Sequence, residues 1–230
     1  MATKNVNLKC INPEVIEVFS KFNVAFMTLR SLREKFKSDL AVLQAEKDKI
    51  LENRENDLNN GIPLDTVLVK WSTVDIDRKI TALTNKYEDA CEPHKEAKKA
   101  AMKFLDVNLY YGYLLAQNKG SLASKGSVTV KKGKNGTQTI ELDKSYVDMI
   151  KSFLADIGAG HANDDKAVSK FANVLAVRTS GMIKANKGVD YVKTKSATQY
   201  NELLLCNVLQ YMVVDKGILV QAEDFSLALA

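Results

Sequence analysis

The side chains in this sequence best placed to do chemistry are lysines. Lys119, Lys125, Lys131, Lys132 and Lys134 succeed one another with no acidic residue until Glu141. Glycines interleave them, so backbone as well as ammonium groups can come close to a phosphate. Lysine supplies a flexible field of charge and little orientation, because it lacks the planar fork of arginine. The chemistry on offer is non-specific contact with nucleic acid or with an acidic protein surface. Tyr110, Tyr111 and Tyr113 could add base stacking if they lay beside that segment. The same lysines suit a solvated hairpin whose exposed edges they protect from pairing.

The other constellations resolve into simpler roles. Cys91-Glu92-Pro93-His94 sets a thiol near an imidazole, but the only other histidine is His161 and nothing completes a zinc set. Gly158-Ala159-Gly160 looks like a fragment of a dinucleotide fingerprint. It follows an amphipathic helix, whereas that chemistry requires a strand-to-helix turn, so it reads as a helix stop. Asn163, Asp164 and Asp165 suit the start of a helix better than a metal. No phosphate-binding loop, paired zinc ligands or nucleophile elbow occurs. The expectation is therefore a protein without catalytic, cofactor or metal residues, not an enzyme.

Composition points the same way. The 230 residues carry a net charge of +5, 46% hydrophobic and 27% charged residues, and only three prolines. Such a chain can bury a core without disulfide or metal, and it has room for long helices. Residues 101–200 hold 15 Lys+Arg against 8 Asp+Glu, so the basic surplus sits mid-chain. Cys10, Cys91 and Cys206 are widely spaced and odd in number, which suits buried thiols in a reducing compartment. No stretch has the length of a signal peptide core or a membrane span, so the expected setting is cytoplasmic, with no membrane partner.

The elements that position these residues start with one long helix. Asn12-Pro13-Glu14 suits a helix start, and Asn59-Asn60-Gly61 with Pro63 beyond it suits a stop. Between them Val15, Phe22, Leu29, Phe36, Leu43 and Ile50 recur every seven residues, with Phe19, Phe26, Arg33, Leu40 and Lys47 as a companion row. The rod would be roughly 65 Å long, more than a compact domain of this size needs. Its first half is rich in phenylalanine and its second half is diluted by charge, so the far end reads as an exposed arm. Phe36, Leu40, Leu43 and Ile50 are the candidate seam for a protein partner.

Residues Asn5 to Ile11 alternate as a short strand would, and Thr66 to Trp71 is β-branched and aromatic enough for another. Ser72 and Asp75 open a second long helix with the row Ile76, Ile80, Leu83, Tyr87, Ala90, His94, Ala97, Ala101 and Phe104. Two such helices on a short connection fold back antiparallel, with Pro93 expected to kink or break the second. That helix continues or restarts over Asp106 to Gln117. A lysine hairpin follows. Pairing Val130 with Ile140 and Val128 with Leu142 keeps the apolar residues on one face, and this requires a three-residue loop, Lys134 to Gly136.

Three shorter helices come next: one capped by Asp143, one from Asn163 to Gly188, and a central one from Ser196 to Gly217. Ile218 to Val220 is then a short strand or extended exit. The fold class is mainly α, a long coiled-coil-like helical hairpin (1–118) followed by a small helical bundle (119–230) with one inserted β-hairpin (127–142). The functional expectation is an interaction or assembly protein. It would bind a protein partner or a second copy through its helical seam, as a component or inhibitor of a larger complex such as a phage particle. The alternative is non-specific nucleic-acid binding through the lysines at 131–134.

Overall fold

The computed structural model describes residues 5–104, 128–132, 138–142, 144–185 and 197–230. The chain is mainly α. Helices α1 (Pro13–Asn59), α2 (Leu64–Lys70) and α3 (Val74–Phe104) come first. Strands β1 (Val128–Lys132) and β2 (Gln138–Leu142) follow, then α4 (Lys144–Asp156), α5 (Asp165–Ala185) and α6 (Ala197–Gln210). A π-helical turn (Tyr211–Asp215) leads into strands β3 (Leu219–Gln221) and β4 (Leu227–Leu229).

Two compact units result, residues 25–98 and the remainder. Helix α1 contributes Pro13 to Val24 to one and its later turns to the other. The expected domain boundary at residues 118 and 119 lies outside the described residues, as do Asp106 to Gln117.

The larger unit is a small bundle with a continuous apolar core. Phe19 and Phe22 of α1, Ile150, Phe153 and Leu154 of α4, Val168 and Leu175 of α5, Leu205 of α6 and Met212 of the π-helical turn are all essentially inaccessible. Within α1, α4 and α5 these residues lie three, four or seven positions from the first of each set, which places them on one face. Asn12 amide donates to the Ile157 carbonyl at 2.9 Å, and the Asn12 carbonyl receives the amides of Val15 and Ile16 to open α1. Asp164 opens α5 in the expected way: its carboxylate accepts from the amides of Lys166 and Ala167 at 3.0 and 3.1 Å. Gly158 closes α4 at φ +77. A Cβ there would lie 2.4 Å from the Asn12 side chain, so the position admits no other residue comfortably.

Strands β1 and β2 pair antiparallel with Val130 opposite Ile140 and Val128 opposite Leu142, the register that keeps the apolar set together. The loop residues of that hairpin lie outside the described ones. The second hairpin, β3 with β4, is one that alternation did not reveal beyond residue 220. It is fastened to α1. The buried Asn23 amide donates to Gln221 Oε1 at 2.9 Å and to the Phe225 carbonyl at 2.8 Å, and Ser20 Oγ accepts the Leu227 amide at 2.9 Å.

Three local expectations are corrected. Residues 5–11 form no regular strand: Leu8–Cys10 is a 3₁₀ turn capped by the Asn7 side chain, and Asn7 alone bridges Gly160. Residues 66–71 are helical. Pro63 sets the entry, Asp65 and Lys70 suit the two helix ends, and the turn buries Val67 completely. Of the kink or break expected at Pro93, the break does not occur, and α3 runs on through it. Pro93 and Asp89, whose carbonyl loses its amide partner, both lie on the exposed side, where water can satisfy that carbonyl.

Candidate functional site

In the unit spanning residues 25–98, α1 and α3 pack antiparallel, as their cross-contacts show. The Phe36 and Tyr87 rings stack at 4.4 Å with 17° between planes. Further along α1, Lys47 Nζ meets Asp77 at 2.8 Å, and Arg54 Nη2 donates to the Trp71 carbonyl at 2.6 Å. Partner numbers fall as α1 numbers rise, the signature of a hairpin.

The expected seam residues Phe36, Leu40, Leu43 and Ile50 are all half-buried, and Phe36 already has an aromatic partner in this chain. The companion row shifts by one residue, with Leu32 half-buried and Arg33 exposed. Lys47 in that row is half-buried and carries its ammonium to the Asp77 carboxylate on α3. The hydrogen bond from Lys47, joined by one from Thr73, holds the Asp77 carboxyl below its usual range.

The tip of this hairpin is tightly tied. Helix α1 ends in a Schellman arrangement: the Ile62 amide donates to the Asp57 carbonyl at 3.1 Å and the Gly61 amide to the Leu58 carbonyl at 3.0 Å. Gly61 has φ +80, the left-handed conformation this stop requires. Asp57, with only 17% of its side chain exposed, accepts from Lys70 Nζ at 2.8 Å and from Trp71 Nε1 at 2.6 Å. These two donors depress its pKa, Lys70 more than Trp71.

The tip displays five large apolar side chains among its polar ones. Leu58, Leu64, Leu68, Val69 and Val74 are exposed by 38, 54, 42, 82 and 52%. Leu64 and Leu68 are four apart on α2 and so share a face. Burial of Val67 and the polar ties of Trp71 and Asp57 fix the neighbouring apolar side chains outward. Reading residues 66–71 as a strand concealed this surface. The four-residue spacing of Leu64 and Leu68 was the signal that could have revealed it.

The remaining candidates are dispersed. Lys131 and Lys132 lie on β1, opposite Thr139 and Gln138, while Lys119, Lys125, Lys134 and Tyr110, Tyr111 and Tyr113 lie outside the described residues. Cys91 is buried one turn from Tyr87, whose phenol is pushed up first by burial and then by that thiol. His94 is half-buried on α3, and His161 is exposed in a turn at φ +61. Among the described residues no three His, Cys, Asp or Glu side chains are grouped to hold a metal, and no helix is long and apolar enough to cross a membrane. No protein-family profile, curated protein or solved structure matches the chain.

Proposed function

We propose that this protein is a non-catalytic assembly protein that associates with a second copy of itself through the tip of its helical hairpin. The observation behind this reading is the concentration of exposed apolar side chains between Leu58 and Val74, on a tip braced by the internal bonds of Arg54, Asp57, Lys70 and Trp71. A surface held rigid before contact loses little side-chain and loop freedom on binding, so more of its apolar burial appears as affinity.

Charge supports a like-with-like contact. Residues 25–98 hold 13 Lys+Arg against 14 Asp+Glu, while the rest of the chain holds 20 against 14. Two hairpins therefore meet without net repulsion, whereas contact through the other unit would oppose like charges. The helical seam keeps a part in this reading as scaffold for the tip: Phe36 stacks on Tyr87 of α3, and Leu40, Leu43 and Ile50 are half-buried on the same helix.

Molecular mass measured by sedimentation from micromolar to millimolar protein, at low and high salt, tests the proposal. The mass is expected to rise with concentration to a whole multiple of one chain and to persist at high salt, because the contact is apolar. Val69→Lys and Leu68→Lys, both at exposed positions, are expected to return it to one chain. A single-chain mass throughout, or an oligomer indifferent to both substitutions, overturns the reading. Association that disappears with salt would point instead to the lysine-rich segment.

A further inference from the structure

The larger unit contains a cleft of about 510 Å³ between the segment Asn5 to Lys9, one face of α5, and the π-helical turn with the residues after it. That size lies within the roughly 300–1,000 Å³ typical of small-molecule sites. Its walls are built, not incidental. The N-terminal segment is held in place by two backbone bonds between Asn7 and Gly160, 2.9 and 2.8 Å, and by Lys170 Nζ donating to Asn5 Oδ1 at 2.9 Å.

Two features of the lining define a ligand. The first is aromatic: Phe171 and Tyr211 meet edge to face at 5.4 Å and both line the cleft. The second is charge: Lys9, Lys170 and Lys216 line it against one carboxylate, Asp215. The π turn joins the two features. The Lys216 amide donates to the Tyr211 carbonyl at 3.1 Å, five residues back, and this wider turn brings both residues to one side. Lys216 Nζ accordingly stands 5.6 Å from the Tyr211 ring centre. Turns of this type are uncommon and recur at functional sites.

We propose that this cleft binds a small ligand made of a planar aromatic ring carrying a phosphate. The ring lies against Phe171 and Tyr211, and the phosphate is met by Lys170 and Lys216, with Lys9 adding to the field. Lysine suits a phosphate as a point charge, and Lys170 keeps further N–H donors beyond the one it gives Asn5.

Titration of the full chain with adenosine monophosphate, followed by calorimetry and amide NMR shifts, tests this. The nucleotide is expected to bind and to shift the amides of residues 5–9 and 211–218. Neutral adenosine and inorganic phosphate alone should each bind at least about tenfold more weakly, the loss expected for one or more charge-assisted hydrogen bonds or for the ring contact. Lys170 and Lys216 are both exposed, so the double variant Lys170→Gln, Lys216→Gln leaves the core intact and should weaken nucleotide binding about tenfold or more. Tyr211→Leu should weaken the nucleotide and adenosine together. Absence of nucleotide binding, equal affinity for adenosine, equal affinity for phosphate, or indifference to the lysine double variant each overturns the proposal.

Discussion

Replacing Asn23 by alanine should loosen the C-terminal hairpin from the first turns of α1. Asn23 is 8% exposed and its amide makes two hydrogen bonds, to Gln221 Oε1 and to the Phe225 carbonyl. Each is worth about 1 kcal/mol net, and the half-buried Phe225 carbonyl left without its donor adds a further ~1 kcal/mol. Alanine returns ~0.5 kcal/mol through its higher helix propensity. The sum is a loss of about 2 to 2.5 kcal/mol, or about 4–10 °C in melting temperature for a chain of this size.

Phe225 sharpens the expectation. It sits at φ +68, a conformation that costs a non-glycine residue roughly 1–2 kcal/mol, so the turn relaxes readily once its carbonyl is released. Urea denaturation should show a lower midpoint, and hydrogen exchange should accelerate first at the Leu227 amide, which bonds Ser20 across the same junction. Gln221→Ala removes only the first of these bonds and should cost about 1 kcal/mol, roughly half as much. A midpoint unchanged within about 0.5 kcal/mol for Asn23→Ala would show that the clamp contributes nothing.

Two further outcomes follow from the backbone and the charges. Gly158→Ala should destabilise more than Gly61→Ala: both replace a left-handed glycine, costing about 1 kcal/mol each, but only Gly158 would thrust its Cβ against Asn12, and comparative urea melts measure the difference. Acid should loosen the hairpin tip. Asp57 is depressed by Lys70 and Trp71, so its contribution is complete above the ordinary aspartate range and is lost as pH falls through its lower folded value. Trp71 is the only tryptophan, so its fluorescence should report this acid transition, and Asp57→Asn should remove it.

Much of the architecture was legible because local signals and packing agreed. Asn12-Pro13 and Gly61 bound α1 in both sequence and structure, and the apolar alternation around 128–142 allowed only one register. The failures have a common cause. Thr66 to Trp71 is too short for periodicity to separate helix from strand, and its β-branched residues favoured the wrong answer. What decided it was tertiary: Val67 had a buried place to fill and Trp71 a carboxylate to reach. The β3–β4 hairpin turns at Phe225, whose left-handed conformation no glycine announces, and the π turn has no sequence signature at all. The cleft escaped notice because Lys9, Lys170 and Lys216 are scattered along the chain and only folding assembles them.

The clamp at Asn23 also fixes an order of events during synthesis. Its partners Gln221 and Phe225 lie 198 and 202 residues later, so at about 5–20 residues per second they leave the ribosome roughly 10–40 s after it. Throughout that interval the phenylalanine-rich start of α1 is without the hairpin that is fastened beside it. The junction between α1 and that hairpin therefore closes only after residues 219–229 have been delivered.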